Sequence, residues 1–227
     1  MKILITGASG GIGSFIMKRF IAEGEEVFGT YNTSTPSFFE KYFTKVDIVN
    51  DHEIRNWIEA VVQHGDQIVL INCAGVSYNA LAHKADKIEW KRVIEVNLIG
   101  AFNVIYALLP FMRECNYGRI INFSSVVAQK GIPGTSAYAA SKAGIWGLTK
   151  SIAAENAKRG ITINSLNIGY FNLGMISEIP EEILSGIVNM IPVQKLGDPE
   201  NIFQAVNFLI KADYVNGTSV DINGGLF

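Results

Sequence analysis

The sequence predicts an α/β fold, namely a doubly wound, seven-stranded parallel sheet with helices on both faces. Strand-like apolar runs alternate with helical patterns along nearly the whole chain, which is typical of repeated βα units. Several of these runs are apolar on both faces, as strands buried inside a parallel sheet require. The first run, Lys2–Thr6, leads into a glycine-rich turn and then a helix, and this order opens many sheets of this kind.

The same patterns predict the bounds of each element in order. Short apolar or β-branched runs predict strands at Lys2–Thr6, Glu26–Tyr31, Tyr42–Asp47, Ile68–Asn72, Gly118–Ser124, Thr162–Asn167 and Thr218–Ile222. Apolar residues at helical spacing predict helices at Gly11–Ala22, Asp51–Gln63, Ala85–Met112, Ser136–Lys158 and Pro199–Ile210. The irregular stretch Gly169–Gly197 contains one short helical pattern, Glu181–Met190, between two prolines. We expect a single domain over residues 1–227, with this stretch as a short substrate lid at about 169–197.

Composition narrows the possible functions. A chain of 227 residues with 48% apolar content can bury a sizeable core, and a net charge of -2 argues against nucleic acid as the main partner. No unbroken apolar run reaches the ~20 residues of a membrane helix, and the first strand leaves no room for a signal peptide. We therefore expect a cytoplasmic protein that does not enter a membrane. The three histidines have no partners at metal-ligand spacing, so no metal site is expected.

The glycine-rich turn predicts a dinucleotide site. It reads Gly7-Ala8-Ser9-Gly10-Gly11-Ile12-Gly13 between a predicted strand and a predicted helix. Gly7 permits a tight turn, Gly11 lets the backbone approach a pyrophosphate, and Gly13 lets helix and strand pack closely. The helix N-terminus then offers unpaired N–H groups to the phosphates. The alternative, an ordinary flexible loop, leaves the spacing of these glycines unexplained.

A second pattern involves Tyr138 and Lys142, which lie four residues apart and so share one face of a predicted helix. A phenol has an unperturbed pKa of about 10, and an ammonium group beside it moves that pKa toward neutrality. A tyrosine and a lysine at this spacing are more often only a solvated helix face. Ser125, thirteen residues before Tyr138, and the glycine-rich turn favour the functional interpretation.

With these residues in view, the chain resembles the short-chain dehydrogenase/reductase family over almost its whole length. It most resembles the compact branch that includes the 3-oxoacyl-acyl-carrier-protein reductases. The matching motifs are the turn Thr6–Gly13, the pair Asp47-Ile48, Asn72-Cys73-Ala74-Gly75, Val96-Asn97-Leu98, Ile121–Ser125, Tyr138 with Lys142, Leu196–Glu200 and Val220–Gly225. Cys73 stands where the family usually has a second asparagine.

The resemblance implies an NAD(P)-binding Rossmann fold and hydride transfer between a nicotinamide and a carbonyl or secondary alcohol. The implied catalytic residues are Asn97, Ser125, Tyr138 and Lys142. Tyr138 would protonate the forming alkoxide, and Ser125 would donate a hydrogen bond to the same oxygen. Lys142 would hold the ribose hydroxyls and lower the phenol pKa, and the Asn97 side chain would hold a water that joins the lysine to solvent. We expect a 3-oxoacyl thioester to be one possible substrate.

The resemblance also implies a set of cofactor-binding residues. They are Gly7, Ser9, Gly10, Gly11, Ile12, Gly13, Tyr31, Asn32, Thr33, Asp47, Ile48, Asn72, Ala74, Gly75, Tyr138, Lys142, Ile168 and Gly169. The segment Thr30–Ser34 carries no carboxylate that would repel a 2′-phosphate, which favours NADP(H) over NAD(H). The arginine usual in phosphate-preferring relatives is absent there and also at Gly10.

Two departures from the family pattern keep an alternative open. Ile168 stands where proline is usual, and Leu173 replaces a threonine that commonly bonds the nicotinamide carboxamide. A catalytically weak or inactive nucleotide-binding regulatory protein would tolerate these changes. An epimerase of the longer relatives is less consistent, because little chain follows Gly169 for a substrate domain.

The predicted long helices suggest self-association. Trp90 and Trp146 lie on the helices that pack against a second subunit in relatives, and Ala143 and Gly144 are small enough for helices to approach closely. We expect a homodimer or homotetramer.

Overall fold

A computed structural model describes residues 1–36, 39–174, 176 and 180–227, and these residues form seven strands of one parallel sheet, as the sequence predicts. The strands are β1 (Lys2–Thr6), β2 (Glu26–Tyr31), β3 (Phe43–Lys45), β4 (Ile68–Asn72), β5 (Gly118–Ser125), β6 (Ile161–Ile168) and β7 (Ser219–Ile222). Their order is β3-β2-β1-β4-β5-β6-β7, and every neighbouring pair is parallel. The order reverses between β1 and β4, and sheets of this kind bind ligands outside the carboxyl ends of the strands at such a point.

Helices follow most of the strands. They are α1 (Gly11–Ala22), α2 (Asp51–Val61), α3 (Lys87–Ile94), α4 (Ala101–Cys115), α5 (Val126–Lys130), α6 (Ser136–Asn156), α7 (Glu181–Met190) and α8 (Pro199–Lys211). A π-helical segment, Glu95–Gly100, joins α3 to α4. Short 3₁₀ turns occur at Glu40–Tyr42, Ala82–Lys84 and Ala157–Arg159.

Two apolar layers, one on each face of the sheet, hold the helices in place. Ile3 of β1 belongs to the layer formed with α1 and α8, whereas Leu4 belongs to the layer formed with α2 and α4. In the first layer, the rings of Phe20 and Phe203 meet edge to face with centroids 4.8 Å apart and join α1 to α8. In the second layer, Trp57 of α2 is fully buried. The two layers thereby fix helices against both faces of the sheet.

The third strand is shorter than predicted. It spans Phe43–Lys45 rather than Tyr42–Asp47 because Tyr42 ends a 3₁₀ turn. At the other end Asp47 turns the chain, since its carboxylate accepts a hydrogen bond from the Val49 N–H at 3.0 Å. Asp47 therefore stands just beyond the sheet rather than in it.

The helix predicted over Ala85–Met112 is divided. It begins at Lys87 because the Asp86 carboxylate caps its first turn, and it continues to Cys115. The segment Glu95–Gly100 in its middle is π-helical, an irregularity that is frequent at functional sites. A π-helical turn holds one more residue than an α-helical turn, and hydrophobic periodicity in the sequence does not detect this difference. The same periodicity does not predict α5, because α5 has only five residues.

The continuous helical run Lys87–Cys115 is long and apolar enough to cross a membrane by length and composition alone, with a mean hydropathy of 1.7 over its most apolar window. Counting only unbroken apolar runs, as in the sequence analysis, therefore overlooked this candidate membrane span. Val104, Ile105 and Leu108 of this run lie in the core beneath the sheet, which accounts for part of its apolar character.

Candidate active site

The glycine-rich turn brings β1, α1 and the end of β4 into close contact. Gly7 has a φ of +62°, and a Cβ there would lie 2.6 Å from the Ala74 Cα. A Cβ at Gly13 would lie 2.4 Å from the Gly7 carbonyl oxygen, so glycine is needed for the helix to approach the strand. A Cβ at Gly11 would lie 2.5 Å from the Gly174 Cα. Gly11 therefore makes room for the backbone that follows β6, in addition to its expected role at a pyrophosphate.

A cavity of about 420 Å³ lies beside this turn, at the point where the strand order reverses. Ten of the predicted cofactor residues line it: Gly7, Ser9, Gly10, Tyr31, Asn32, Thr33, Asp47, Ile48, Ala74 and Gly75. Gly11, Ile12, Gly13, Asn72, Tyr138, Lys142, Ile168 and Gly169 do not line it. The cavity thus corresponds to the adenosine end of the predicted cofactor site.

Asn72 lies below the cavity rather than on it. Its side chain is buried, receives a hydrogen bond from the Thr6 hydroxyl at 3.3 Å and donates one to the Asn122 side chain at 2.9 Å. Asn122 in turn donates to the Thr149 hydroxyl at 3.2 Å. Asn72 therefore cross-links β1, β4 and β5, which explains an amide at this position without a cofactor contact.

Arg92 is a cavity residue that the sequence reasoning missed. Among the described residues that line the cavity it is the one cation, and two carboxylates, Asp47 and Glu95, share the lining. Its guanidinium donates to the Glu89 carboxylate at 3.0 Å, and about half of the side chain remains exposed. Arg92 lies one helical turn before Val96 and so on the same face of the helix. The Val96-Asn97 motif could therefore have pointed to Arg92 as a residue of this site.

The expected catalytic side chains meet at the carboxyl end of β5. Ser125 ends β5 and caps α5, because its hydroxyl accepts the Val127 N–H at 3.2 Å. Tyr138 and Lys142 lie one turn apart on α6, and the Lys142 Nζ is 5.6 Å from the centre of the Tyr138 ring. The Ser125 side chain lies close enough to the Tyr138 phenol to influence its pKa. A Cβ at Gly75 would lie 3.6 Å from the Lys142 Nζ, so this cluster adjoins the cavity wall.

Burial dominates the protonation of this cluster. It raises the pKa of Tyr138, and the nearby Ser125 side chain opposes that shift. Burial also lowers the pKa of Lys142 from its ordinary value of 10.5 to about 8. Lys142 is not among the groups that shift this pKa, so the expected lowering of the phenol pKa by the lysine stays a prediction. A raised pKa keeps the phenol protonated at neutral pH.

Asn97 is engaged by the protein on both ends of its carboxamide. Its Oδ1 accepts the Val76 N–H at 2.8 Å, and its Nδ2 donates to the Val76 carbonyl at 2.9 Å and to the Ser141 hydroxyl at 3.1 Å. Both amide hydrogens are thus used within the protein. This side chain therefore joins the π-helical segment to the loop after β4 and to α6, and the expectation that it holds a water joining Lys142 to solvent stays a prediction.

The loop after β6 is fixed to β7 at its start. The Gly169 N–H donates to the Ile222 carbonyl at 2.9 Å, and a Cβ at Gly169 would lie 2.8 Å from the Asn223 Cα. Further along, the helix predicted at Glu181–Met190 is present with these bounds as α7. Residues 175 and 177–179 of the predicted lid lie outside the described residues.

Comparisons with known proteins agree with the motifs. The family described as short chain dehydrogenase matches residues 1–183. An acetoacetyl-CoA reductase of Rhizobium meliloti is 37% identical, with 99% of this chain and 97% of the relative covered. Nodulation protein G of Azospirillum brasilense is 36% identical, with 98% and 96% covered. A 3-oxoacyl-acyl-carrier-protein reductase of Staphylococcus epidermidis is 34% identical, with 99% and 98% covered.

Proposed function

This chain belongs to the short-chain dehydrogenase family and is a nicotinamide-dependent oxidoreductase, and we propose that it uses NADPH to reduce a 3-oxoacyl thioester. The proximity of Ser125, Tyr138 and Lys142 at the carboxyl end of β5, beside the cavity at the glycine-rich turn, is the observation that carries the proposal. The names of the relatives, an acetoacetyl-CoA reductase and a 3-oxoacyl-acyl-carrier-protein reductase, support the substrate class.

The residues present fit a nicotinamide dinucleotide, since the N-terminus of α1 meets a cavity lined by backbone, hydroxyl and amide groups. When bound, the cofactor supplies a hydride to the carbonyl carbon of the substrate. Tyr138 transfers its phenolic proton to the carbonyl oxygen, which becomes the product hydroxyl. Ser125 donates a hydrogen bond to that oxygen as negative charge develops on it. The raised pKa of Tyr138 suits this direction, because the donor starts protonated.

The preference for NADPH rests on charge near the adenosine end. Tyr31, Asn32 and Thr33 line the cavity with groups that can donate hydrogen bonds to phosphate oxygens. Arg92 adds a cation that can reach across the same cavity, which offsets the absence of an arginine at Gly10. Asp47 and Glu95 oppose this preference, because their carboxylates share the cavity lining.

The segment 169–197 serves as the substrate cover in this proposal. It starts at the end of β6, beside the end of β5 that carries Ser125. Its helix α7 exposes Ile183 and Met190, which suits contact with an apolar acyl chain.

Purified protein is tested with acetoacetyl-CoA and small ketones while oxidation of NADPH and of NADH is followed. We expect turnover with acetoacetyl-CoA and tighter binding of NADPH than of NADH. Tyr138→Phe should lower kcat by about 10²–10⁴-fold with cofactor binding retained. Tyr117→Phe is the matched control, because Tyr117 precedes β5 at the opposite edge of the sheet. Cofactor binding without turnover of any substrate would instead support a regulatory protein.

A further inference from the structure

Ser141 is a buried hydroxyl that the proposed mechanism does not use. It lies on α6 between Tyr138 and Lys142, and its side chain is 0% exposed. The hydroxyl donates to the main-chain carbonyl of Tyr138 at 2.7 Å and accepts the Asn97 Nδ2 at 3.1 Å. Its one hydrogen and one of its lone pairs are therefore committed to two different elements.

The contact with Asn97 continues to the wall of the cofactor cavity. Asn97 holds both the N–H and the carbonyl of Val76, at 2.8 and 2.9 Å, and Val76 lines the cavity. A path of short hydrogen bonds thus runs from Val76 through Asn97 and Ser141 to the Tyr138 backbone. Each side-chain group on it is buried.

We propose that Ser141 is a positioning residue, whose hydroxyl sets the helical turn that carries Tyr138 and Lys142 relative to the cofactor cavity. The inference rests on the proposed function of that cluster. A serine within a helix often bonds a carbonyl three or four residues earlier without further consequence. Ser141 differs because the same hydroxyl also satisfies a buried amide from the π-helical segment, so its loss leaves an Asn97 N–H without a partner.

A second tether holds the same turn from the sheet side. The Ser124 hydroxyl of β5 donates to the Lys142 carbonyl at 2.9 Å, and the Lys142 Nζ donates to the Phe123 carbonyl at 2.8 Å. The sheet thus fixes Lys142, while the path through Ser141 fixes the turn relative to the cavity wall. Small displacements matter here, because proton transfer requires the phenol within hydrogen-bond reach of the carbonyl oxygen.

Kinetics test the proposal. We expect Ser141→Ala to lower kcat with acetoacetyl-CoA by about tenfold, while the Kd of NADPH changes by less than about threefold. The pH of half-maximal kcat should move, and Ser141→Thr, which keeps the hydroxyl, should restore part of the rate. In a Tyr138→Phe background, Ser141→Ala should cause no further loss. Ser151→Ala is the matched control, because Ser151 is exposed on the same helix. A folded alanine variant with unchanged kcat and pH profile overturns the proposal.

A second readout does not depend on turnover. The protein has eight tyrosines, so the titration of Tyr138 is taken as the difference between each protein and its Tyr138→Phe counterpart. Ser141→Ala should shift this titration and Ser151→Ala should not. If the wild type shows no turnover but the titration shifts, the proposed function fails and the role of Ser141 in placing Tyr138 stands. If the alanine variant does not fold, Ser141→Cys is measured in its place, and an unshifted titration overturns the proposal.

Discussion

Lys142 is a buried amine whose charge destabilises the folded chain. Its pKa falls from 10.5 to about 8 because burial disfavours the ammonium form. A shift of this size corresponds to a cost on the order of 3 kcal/mol at neutral pH. Strongly perturbed pKa values cluster at functional sites, so this cost is consistent with a functional role for the Lys142 amine.

The free energy of unfolding should therefore rise with pH above about 8. Between the folded pKa of about 8 and the ordinary value of 10.5, the unfolded chain binds more protons than the folded chain, so stability increases with pH in this window. Urea unfolding of the wild type and of Lys142→Met, at fixed protein concentration and over a range of pH, measures the free energy of unfolding. The variant should lack the rise. Parallel pH profiles of the two proteins below pH 10 would contradict the assignment, and above that pH the titration of tyrosines interferes.

At the scale of single residues, sequence patterns identified which side chains meet but not how their protons behave. Ser125, Tyr138 and Lys142 could be predicted because a strand end and one helical turn place them together. The pKa of Tyr138 depends on burial by segments distant in sequence, which local spacing does not contain. The engagement of Asn97 likewise depends on Val76 and Ser141, which are 21 and 44 residues away.

Among the elements, β1, the glycine-rich turn and α1 were predicted with their correct bounds, because a Cβ at Gly7, Gly11 or Gly13 would collide with backbone atoms. The irregular elements were not. The π-helical segment Glu95–Gly100 is stabilised by long-range contacts of Asn97, and α5 is too short for a periodic pattern. Arg92 was missed for a related reason, since its place on the cavity follows from how α3 docks rather than from its neighbours in sequence.

Gly13→Ala tests the contact between α1 and β1. The added Cβ would lie 2.4 Å from the Gly7 carbonyl oxygen and 2.9 Å from the Ala8 Cα, and both are backbone atoms that cannot rotate away. We expect a loss of about 1–3 kcal/mol in the free energy of unfolding, together with weaker NADPH binding. Gly186→Ala on α7 is the control, because its Cβ meets nothing within 4 Å. That change should be neutral or stabilise by about 0.5–1 kcal/mol. Equal effects of the two substitutions on unfolding would contradict the steric argument.

At the scale of the whole molecule, an apolar face on the π-helical segment and α4 is left uncovered. Ile99, Phe102 and Tyr106 are 46%, 43% and 69% exposed, and the rings of the last two lie 5.9 Å apart. These side chains belong to the helical run Lys87–Cys115, which is apolar enough to span a membrane by length and composition alone. We propose that a second copy of the chain covers this face in the predicted homodimer or homotetramer.

Phe102→Asp should separate the copies. A stable interface buries about 800 Å² on each partner, and a carboxylate at its centre would be desolvated without a counter-charge. Sedimentation equilibrium should therefore give a dimer or tetramer for the wild type and a smaller species for the variant. Ile183→Asp is the control, because Ile183 is 58% exposed on α7, away from this face. A monomeric wild type, or a Phe102→Asp variant of unchanged mass, would mean that this face has another role. If the variant has the expected smaller mass and still binds cofactor, each copy holds its own adenosine site, as the cavity lined by one chain suggests.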